Sequence, residues 1–414
     1  MTRKRSLFRL GGIAVRGVGR RILGNTAAAD RALGEALATE LDAMKGMAMK
    51  LGQIMSYMEV PFPDELQGAL ARLQTGVDGM ELEDVRTVVR AALGDEIEAL
   101  FQAFDPAPVA AASIGQVHRA RVHGADVAVK VRYPDVEGSF DEDMRRIERI
   151  ARLASVATVV DGKAIAAELG ARLAEECDYV TEAKWQRAFA AAVAPLPDLS
   201  VPEVIDDRSG DGVLTTAWSE SVGLDAFLAT ASQGSKERAA RALARFAWTG
   251  MFVWETLHAD PHPGNFLFAP DGSVTVLDFG CIKRFEPTFV DSWRRTFLAV
   301  IDGGGDFEAA VRDSGMVGGR KFDMGMHREM VEWMVRPYVT PRFRFTRAYN
   351  LEAQKFGRPT SGHSRAMAIP PPWIWFARMS FGLHSVLATF DAEVDVRDCL
   401  VEPLRAGPSR LEVV

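Results

Sequence analysis

Cysteine is scarce: Cys177, Cys281 and Cys399 are the only three in 414 residues, odd in number and far apart. A disulfide framework and a CxxC metal site are thereby excluded, and a reducing, cytoplasmic compartment is expected. Long apolar runs are missing as well. Arg, Lys, Asp or Glu breaks each candidate before it reaches the roughly 18 to 20 residues that a bilayer-spanning helix needs. No helical membrane span is expected, and no internal repeat shows. What is present is ordinary globular composition, 48% hydrophobic and 25% charged, which rules out a disordered or fibrous chain. The length suits two or three domains.

Acid is absent from residues 1–24, which carry Arg3, Lys4, Arg5, Arg9, Arg16, Arg20 and Arg21 against an overall net charge of −7. The segment is not a secretory leader, because its apolar run is short and is broken by Arg9 and Arg16. Two readings stand. A basic, apolar-interleaved arm can lie on anionic lipid, where each basic residue contributes about 1 kcal/mol. Equally, it can be a frayed, solvated end, since Gly11, Gly12, Gly17 and Gly19 weaken any helix there.

Strong helix formers fill Thr26 to about Met58, the Pro61-Phe62-Pro63 break follows, and helical text resumes at Asp64–Gln74 and over 82–103. The pattern then turns to β: Gln116–Val122 and Asp126–Val131 form a hairpin turned at His123-Gly124-Ala125. Helices are expected from about Ser139 to Thr158 and from Lys163 to Ala192, and short strands near 201–205 and 212–217. Beyond Trp218 the chain is largely helical apart from a hairpin over 266–277, turned by Pro270-Asp271-Gly272. The expected organisation is a basic arm and helical extension over 1–100, a mixed lobe over 101–220 and a helical lobe over 221–414.

The strongest chemical signal is His258-Ala259-Asp260-Pro261-His262-Pro263-Gly264-Asn265, followed by Asp278-Phe279-Gly280. Asp260 and Asn265 stand five apart, and Asp278 lies thirteen residues beyond, across the expected hairpin. This is the H-x-D-x-x-x-x-N … D-F-G order of protein kinases. Phosphoryl transfer needs one carboxylate to orient or deprotonate the attacking oxygen, and a second carboxylate with an amide to hold Mg²⁺ against phosphates. Asp260 suits the first task; Asp278 and Asn265 suit the second. Upstream, Val127-Ala128-Val129-Lys130 matches the strand whose lysine meets the α and β phosphates. Alone, that tetrapeptide more often marks a solvated lysine; its ordered place before the catalytic-loop pattern gives it weight. Val213–Glu220, including Trp218, fits the strand and linker whose backbone would meet adenine. His258 and His262 have zinc-like spacing, but Pro261 and Pro263 destroy the helix that would align them.

A glycine-rich loop should precede Lys130, yet the text is Ala110-Ala111-Ala112-Ser113-Ile114-Gly115. Alanine restricts the backbone where glycine would let it close over phosphates. Here the sequence resembles the UbiB/AarF family of atypical kinase-like proteins, which includes the mitochondrial ADCK proteins and carries an alanine-rich loop in that place. Lys50-Leu51-Gly52-Gln53 looks like the family's KxGQ motif, and Glu176-Cys177-Asp178-Tyr179 with Glu182-Ala183 matches its E-C-D-Y-x-x-E-A segment. The resemblance runs over roughly residues 40–400.

That resemblance implies an α+β, two-lobed protein-kinase-like fold with a helical N-terminal extension. It implies nucleotide contacts at Ala111, Ala112, Ser113, Ile114, Lys130 and Trp218, and a KxGQ helix that packs over the nucleotide cleft and restrains protein phosphorylation. Lys50 would reach Glu176 or Asp178, and Gln53 would share its helical face. It names Glu182 as the ion-pair partner of Lys130, with Glu176 second; plain kinase spacing would select Glu142 or Glu148. The family departs from this chain where Ala217 stands in place of an acid. No A-P-E segment follows the D-F-G, so the surface that docks peptides in protein kinases is not evident. Some members end in two hydrophobic segments; this text closes without an apolar span, so membrane contact is expected to be peripheral.

The expected function is an ATP-binding (or ADP-binding), Mg²⁺-dependent atypical kinase or ATPase, supporting isoprenoid-quinone or other lipid metabolism. Expected partners are the nucleotide, an anionic lipid surface and proteins of a lipid or quinone pathway, with no nucleic acid. Two alternatives are a small-molecule phosphotransferase of the aminoglycoside or choline kinase type, against which the KxGQ and E-C-D-Y segments argue, and a nucleotide-sensing scaffold without turnover.

Overall fold

The computed structural model describes residues 79–112, 114–134, 175, 177–357 and 366–413. Lys50, Gln53, Ser113, Glu142, Glu148 and Glu176, and the helices expected before residue 78 and within 135–174, lie outside them. The chain divides into two compact units, one running to Thr181 and including Ile205–Ala217, the other comprising Glu182–Val204 and Trp218 onward.

The first unit is built on an antiparallel sheet in the order Ala103–Phe104, Gly115–Val122, Ala125–Arg132, Val213–Ala217, with Ala110–Ala112 also paired to the second strand. Alternation along Ala125–Arg132 decides its two faces. Val127, Val129 and Val131 are buried with Val213 against Val85 and Val89 of the helix Leu82–Leu93, whereas Ala128 and Lys130 take the opposite face. The hairpin turn is the two-residue kind, with His123 and Gly124 both at positive φ (53° and 80°), as tight antiparallel turns require.

The expected alanine-rich loop is itself partly strand, Ala110–Ala112 pairing with Gly115–Val117. Gly115 must be glycine, since a Cβ would stand 2.3 Å from the Val131 carbonyl oxygen and 2.9 Å from Tyr179 Oη. The strand expected near 201–205 is replaced by a two-residue strand, Leu199–Ser200. Pro202 has no N–H to donate to a ladder, and its carbonyl accepts instead from Gln186 Nε2 at 2.7 Å.

The second unit surrounds the helix Gln233–Phe252, capped where Ser232 Oγ accepts the Ser235 N–H. Alanine dominates its inward face, so neighbouring helices approach closely; Pro371–Thr389 and Arg397–Arg405 pack on it. Arg241 and Arg245 both reach Asp398 (2.6 and 2.8 Å), fixing the last helix. Trp248, Trp293, Trp333, Phe297 and Tyr338 are buried in one aromatic core. Phe266–Phe268 and Val274–Val276 form the expected hairpin, joined by Leu199–Ser200. A ladder absent from the sequence reading pairs Thr256–His258 with Ile282–Arg284.

Beyond Arg405 the chain doubles back over this ladder. Ser409 N–H donates to Val253 O (2.7 Å), Arg284 donates to Leu411 O (2.8 Å), and Arg410 pairs with buried Glu255 and donates to Phe285 O (3.0 Å). Among the described residues, no helix is long and apolar enough to cross a membrane.

Candidate functional site

In the first unit, Lys130 emerges from the face of its strand opposite the valine core, and its ammonium lies 4.8 Å from the centre of the Tyr179 ring. Burial of Val127, Val129 and Val131 therefore fixes where this cation points. Ala111 and Ala112 pair with Gln116 and Gly115, and Ile114 is buried. His118 is buried beneath them, its ring bonded to Gln116 Nε2 and the Asp105 carbonyl and stacked on Phe104. Burial holds its pKa below the usual imidazole value. Its contacts are those of a structural core residue.

In the second unit the catalytic-loop and D-F-G segments are joined by hydrogen bonds. His258 ends one strand of the Thr256–His258/Ile282–Arg284 ladder, and its Nε2 lies in hydrogen-bond contact with the backbone carbonyl of Asp278. A carbonyl only accepts, so Nε2 carries the proton. The imidazole is fully buried, which pushes its pKa down and keeps it neutral. Ala259 N–H donates to Cys281 O (2.9 Å), and Leu277 N–H to Asn265 O (3.0 Å). Thus three backbone or ring contacts clamp the two acid-bearing segments in register.

The side chains follow from that clamp. Asn265 Nδ2 donates to the Asp260 carbonyl (3.1 Å), which turns the amide oxygen to the opposite side. Asp278 Oδ1 accepts the Gly280 N–H (2.9 Å), and Asp260 Oδ1 accepts from Arg378 Nη2 (2.9 Å). Glu182 is buried, with Oε1 3.5 Å from the Phe279 N–H. The structure therefore gathers Glu182, Asp260, Asn265 and Asp278 in the second unit, with Trp218 at its start, and Lys130, Ala111, Ala112 and Ile114 in the first. Arg378 was not foreseen: it lies 118 residues from Asp260 and no local spacing signals it. His258, which the flanking prolines exclude from zinc-like alignment, makes a contact to the Asp278 carbonyl that no local spacing signals.

Carboxylate and amide oxygens are the hard donors that Mg²⁺ accepts, and Mg²⁺ commonly takes only one or two protein carboxylates alongside phosphates. Among the described residues no group of three His, Cys, Asp or Glu gathers that could hold a metal by protein ligands alone. The donor set at Asn265 and Asp278 fits a cation shared with a nucleotide.

An H-x-D-x-x-x-x-N segment and a D-F-G segment joined beside one short ladder, with a strand lysine upstream, define a protein of the kinase-like class. The family model of the ABC1 atypical kinase-like domain matches residues 72–311, more than half the chain, and the chain belongs to that family. The resemblance to UbiB/AarF proteins and the kinase-like fold are both borne out. Curated relatives are named atypical kinases: mitochondrial COQ8 of Saccharomyces cerevisiae is 30% identical over 67% of this chain and 56% of its own length. Mitochondrial coq-8 of Caenorhabditis elegans is 31% identical over 69% of this chain and 40% of its own. The chain thus spans about half the length of the curated relatives it matches. Among solved structures, Rv3197 of Mycobacterium tuberculosis in complex with erythromycin has a TM-score of 0.65 at 28% identity, covering 88% of this chain and 93% of that one.

Proposed function

We propose that this chain is an ATP-binding, Mg²⁺-dependent atypical kinase or ATPase of the UbiB type, acting at a membrane surface in support of isoprenoid-quinone or other lipid metabolism. The observation that carries the catalytic part is the clamp in the second unit: the buried neutral His258 on the Asp278 carbonyl, with Asn265 bonded to Asp260. Phosphoryl transfer proceeds through a loose transition state in which positioning and electrostatics supply most of the catalysis. A rigid pair of loops is what such a reaction demands.

In this reading Lys130 meets the α and β phosphates and Glu182 holds it. Ala111, Ala112, Ser113, Ile114 and Trp218 line the nucleotide, while Lys50 and Gln53 restrain access of protein substrates. Asn265 and Asp278 would hold Mg²⁺, which when bound neutralises charge on the transferred phosphoryl group. Asp260 orients the attacking oxygen. The membrane and pathway assignments rest on the basic arm and on relatives named COQ8.

The decisive experiment is ATP hydrolysis with and without anionic liposomes, alongside Mg-nucleotide binding. Asp278→Asn should weaken Mg-nucleotide binding at least tenfold and abolish turnover; unchanged binding rejects the metal assignment. A second reading, a small-molecule phosphotransferase, draws on the neighbour solved with erythromycin. Phosphorylation of hydroxylated antibiotics or choline well above the hydrolysis rate would favour it, and nucleotide binding with no turnover at all would favour a sensing scaffold.

A further inference from the structure

The helix Pro371–Thr389 lies more than a hundred residues downstream of the catalytic loop, yet one of its faces is given over to that loop. Trp375, Arg378 and Gly382 fall at i, i+3 and i+7, a spacing that aligns them along one side. Trp375 receives the Lys283 ammonium on its ring, 5.2 Å from the centroid, and Lys283 sits three residues past Gly280 of the D-F-G turn. Arg378 Nη2 donates to Asp260 Oδ1 at 2.9 Å, and both side chains are about 85% buried, being 14% and 15% exposed. The guanidinium also faces Trp375, 5.8 Å from its centroid. At Gly382 a Cβ would stand 2.2 Å from Pro261 Cγ, so the loop nests directly on the helix backbone. Met379, Leu383 and Val386 line the apolar space under His258, Pro261 and Phe266.

Protein kinases place an arginine immediately before the catalytic aspartate. Here that position is Ala259, fully buried and without a charge to offer. The guanidinium beside the aspartate comes instead from a remote helix.

We propose that Arg378 is a positioning residue for Asp260. It orients the carboxylate through a charge-assisted hydrogen bond, while Trp375 and Gly382 set the helix against the loop. The inference rests on the reading of Asp260 as the group that orients the attacking oxygen. A guanidinium held by a packed helix limits the orientations open to the carboxylate, and a fixed carboxylate is what a positioned base needs. A partly desolvated ion pair also holds its geometry better than an exposed one, because water competes less for either partner.

The test is steady-state ATP hydrolysis by the full chain for Arg378→Met, Arg378→Lys, Asp260→Asn and the Arg378→Met/Asp260→Asn double variant, with thermal unfolding of each. Arg378→Met should lower kcat about 30-fold or more while KM for ATP stays within threefold. Arg378→Lys, which keeps the charge and can still donate to the carboxylate, should lose only three- to tenfold. In the Asp260→Asn background Arg378→Met should change the residual rate less than threefold, because the arginine then has no carboxylate to orient. If Arg378→Met does not fold, Arg378→Lys decides, with a three- to tenfold loss of kcat expected in the wild-type background and none in Asp260→Asn. Wild-type kcat in the Arg378 variants, equal damage by Met and Lys, or additive losses in the double variant overturns the proposal. The two layers separate cleanly: an active chain that Asp260→Asn leaves active overturns the reading of Asp260, whereas an active chain killed by Asp260→Asn and untouched at Arg378 overturns only the arginine's role. A wild-type chain without turnover overturns both.

Discussion

Buried histidines set the pH response of single residues in this chain. His384, in the core of the second unit against Tyr338, is pushed down to about 3 by burial, and His258 is lowered by the same cause. The folded chain keeps these rings neutral where the unfolded chain would protonate them. Stability is therefore complete above about pH 6.5 and is lost as pH falls through the unfolded value toward the folded one. At pH 5, His384 alone should cost about 2 kcal/mol, from 1.4 kcal/mol per pH unit over about one and a half units. Urea unfolding at pH 7 and pH 5 measures this, and His384→Leu should flatten the difference by that amount. An unchanged pH slope in that variant would remove His384 from the account.

At the scale of elements, two opposing effects meet at Gly382. Alanine is worth up to about 1 kcal/mol more than glycine inside a helix, so on propensity alone Gly382→Ala should stabilise Pro371–Thr389. Contact at 2.2 Å with a proline ring cannot be relieved by a rotamer change, and overpacking costs typically about 1–3 kcal/mol. The clash wins. Gly382→Ala should therefore lower the unfolding midpoint and reduce ATP hydrolysis at least tenfold by displacing Pro261 and its neighbour Asp260. An alanine variant as stable and active as the parent would show that the loop is not seated on this helix.

The same elements show what could be read in advance. His258–Asn265 and Asp278–Gly280 were legible because their residues are near neighbours whose spacing carries the chemistry, and Val127–Lys130 because alternation marks a strand face. Thr256–His258 and Ile282–Arg284 were not, since three residues are too few for a period to emerge. Arg378 and Glu182 reach the site from 118 residues after Asp260 and 97 before Phe279. Only the folding of whole helices onto the loop creates those contacts. The Ala110–Ala112 strand was hidden for another reason: alanine has little strand preference, so nothing in those three residues announces their pairing with Gly115–Val117.

For the whole molecule, charge is distributed unevenly along the sequence. Seven basic residues and no acid within the first 24, in a chain of net charge −7, predict adsorption to vesicles containing anionic lipid that weakens as salt is raised, because exposed charges interact over about 8 Å at physiological ionic strength. Co-sedimentation at low and at 0.5 M salt measures it, and deleting residues 1–24 should abolish it; binding that survives the deletion removes the arm from the proposal.

The returning segment after Arg405 has a practical consequence. Ser409, Arg410 and Leu411 grip Val253, Glu255, Arg284 and Phe285, so the strand that follows the D-F-G turn is stitched in place by a stretch more than a hundred residues further along the sequence. Exchanging Arg410 for alanine removes the cation from buried Glu255 and the donor from Phe285 O, and so loosens from a distance the turn beside Asp278.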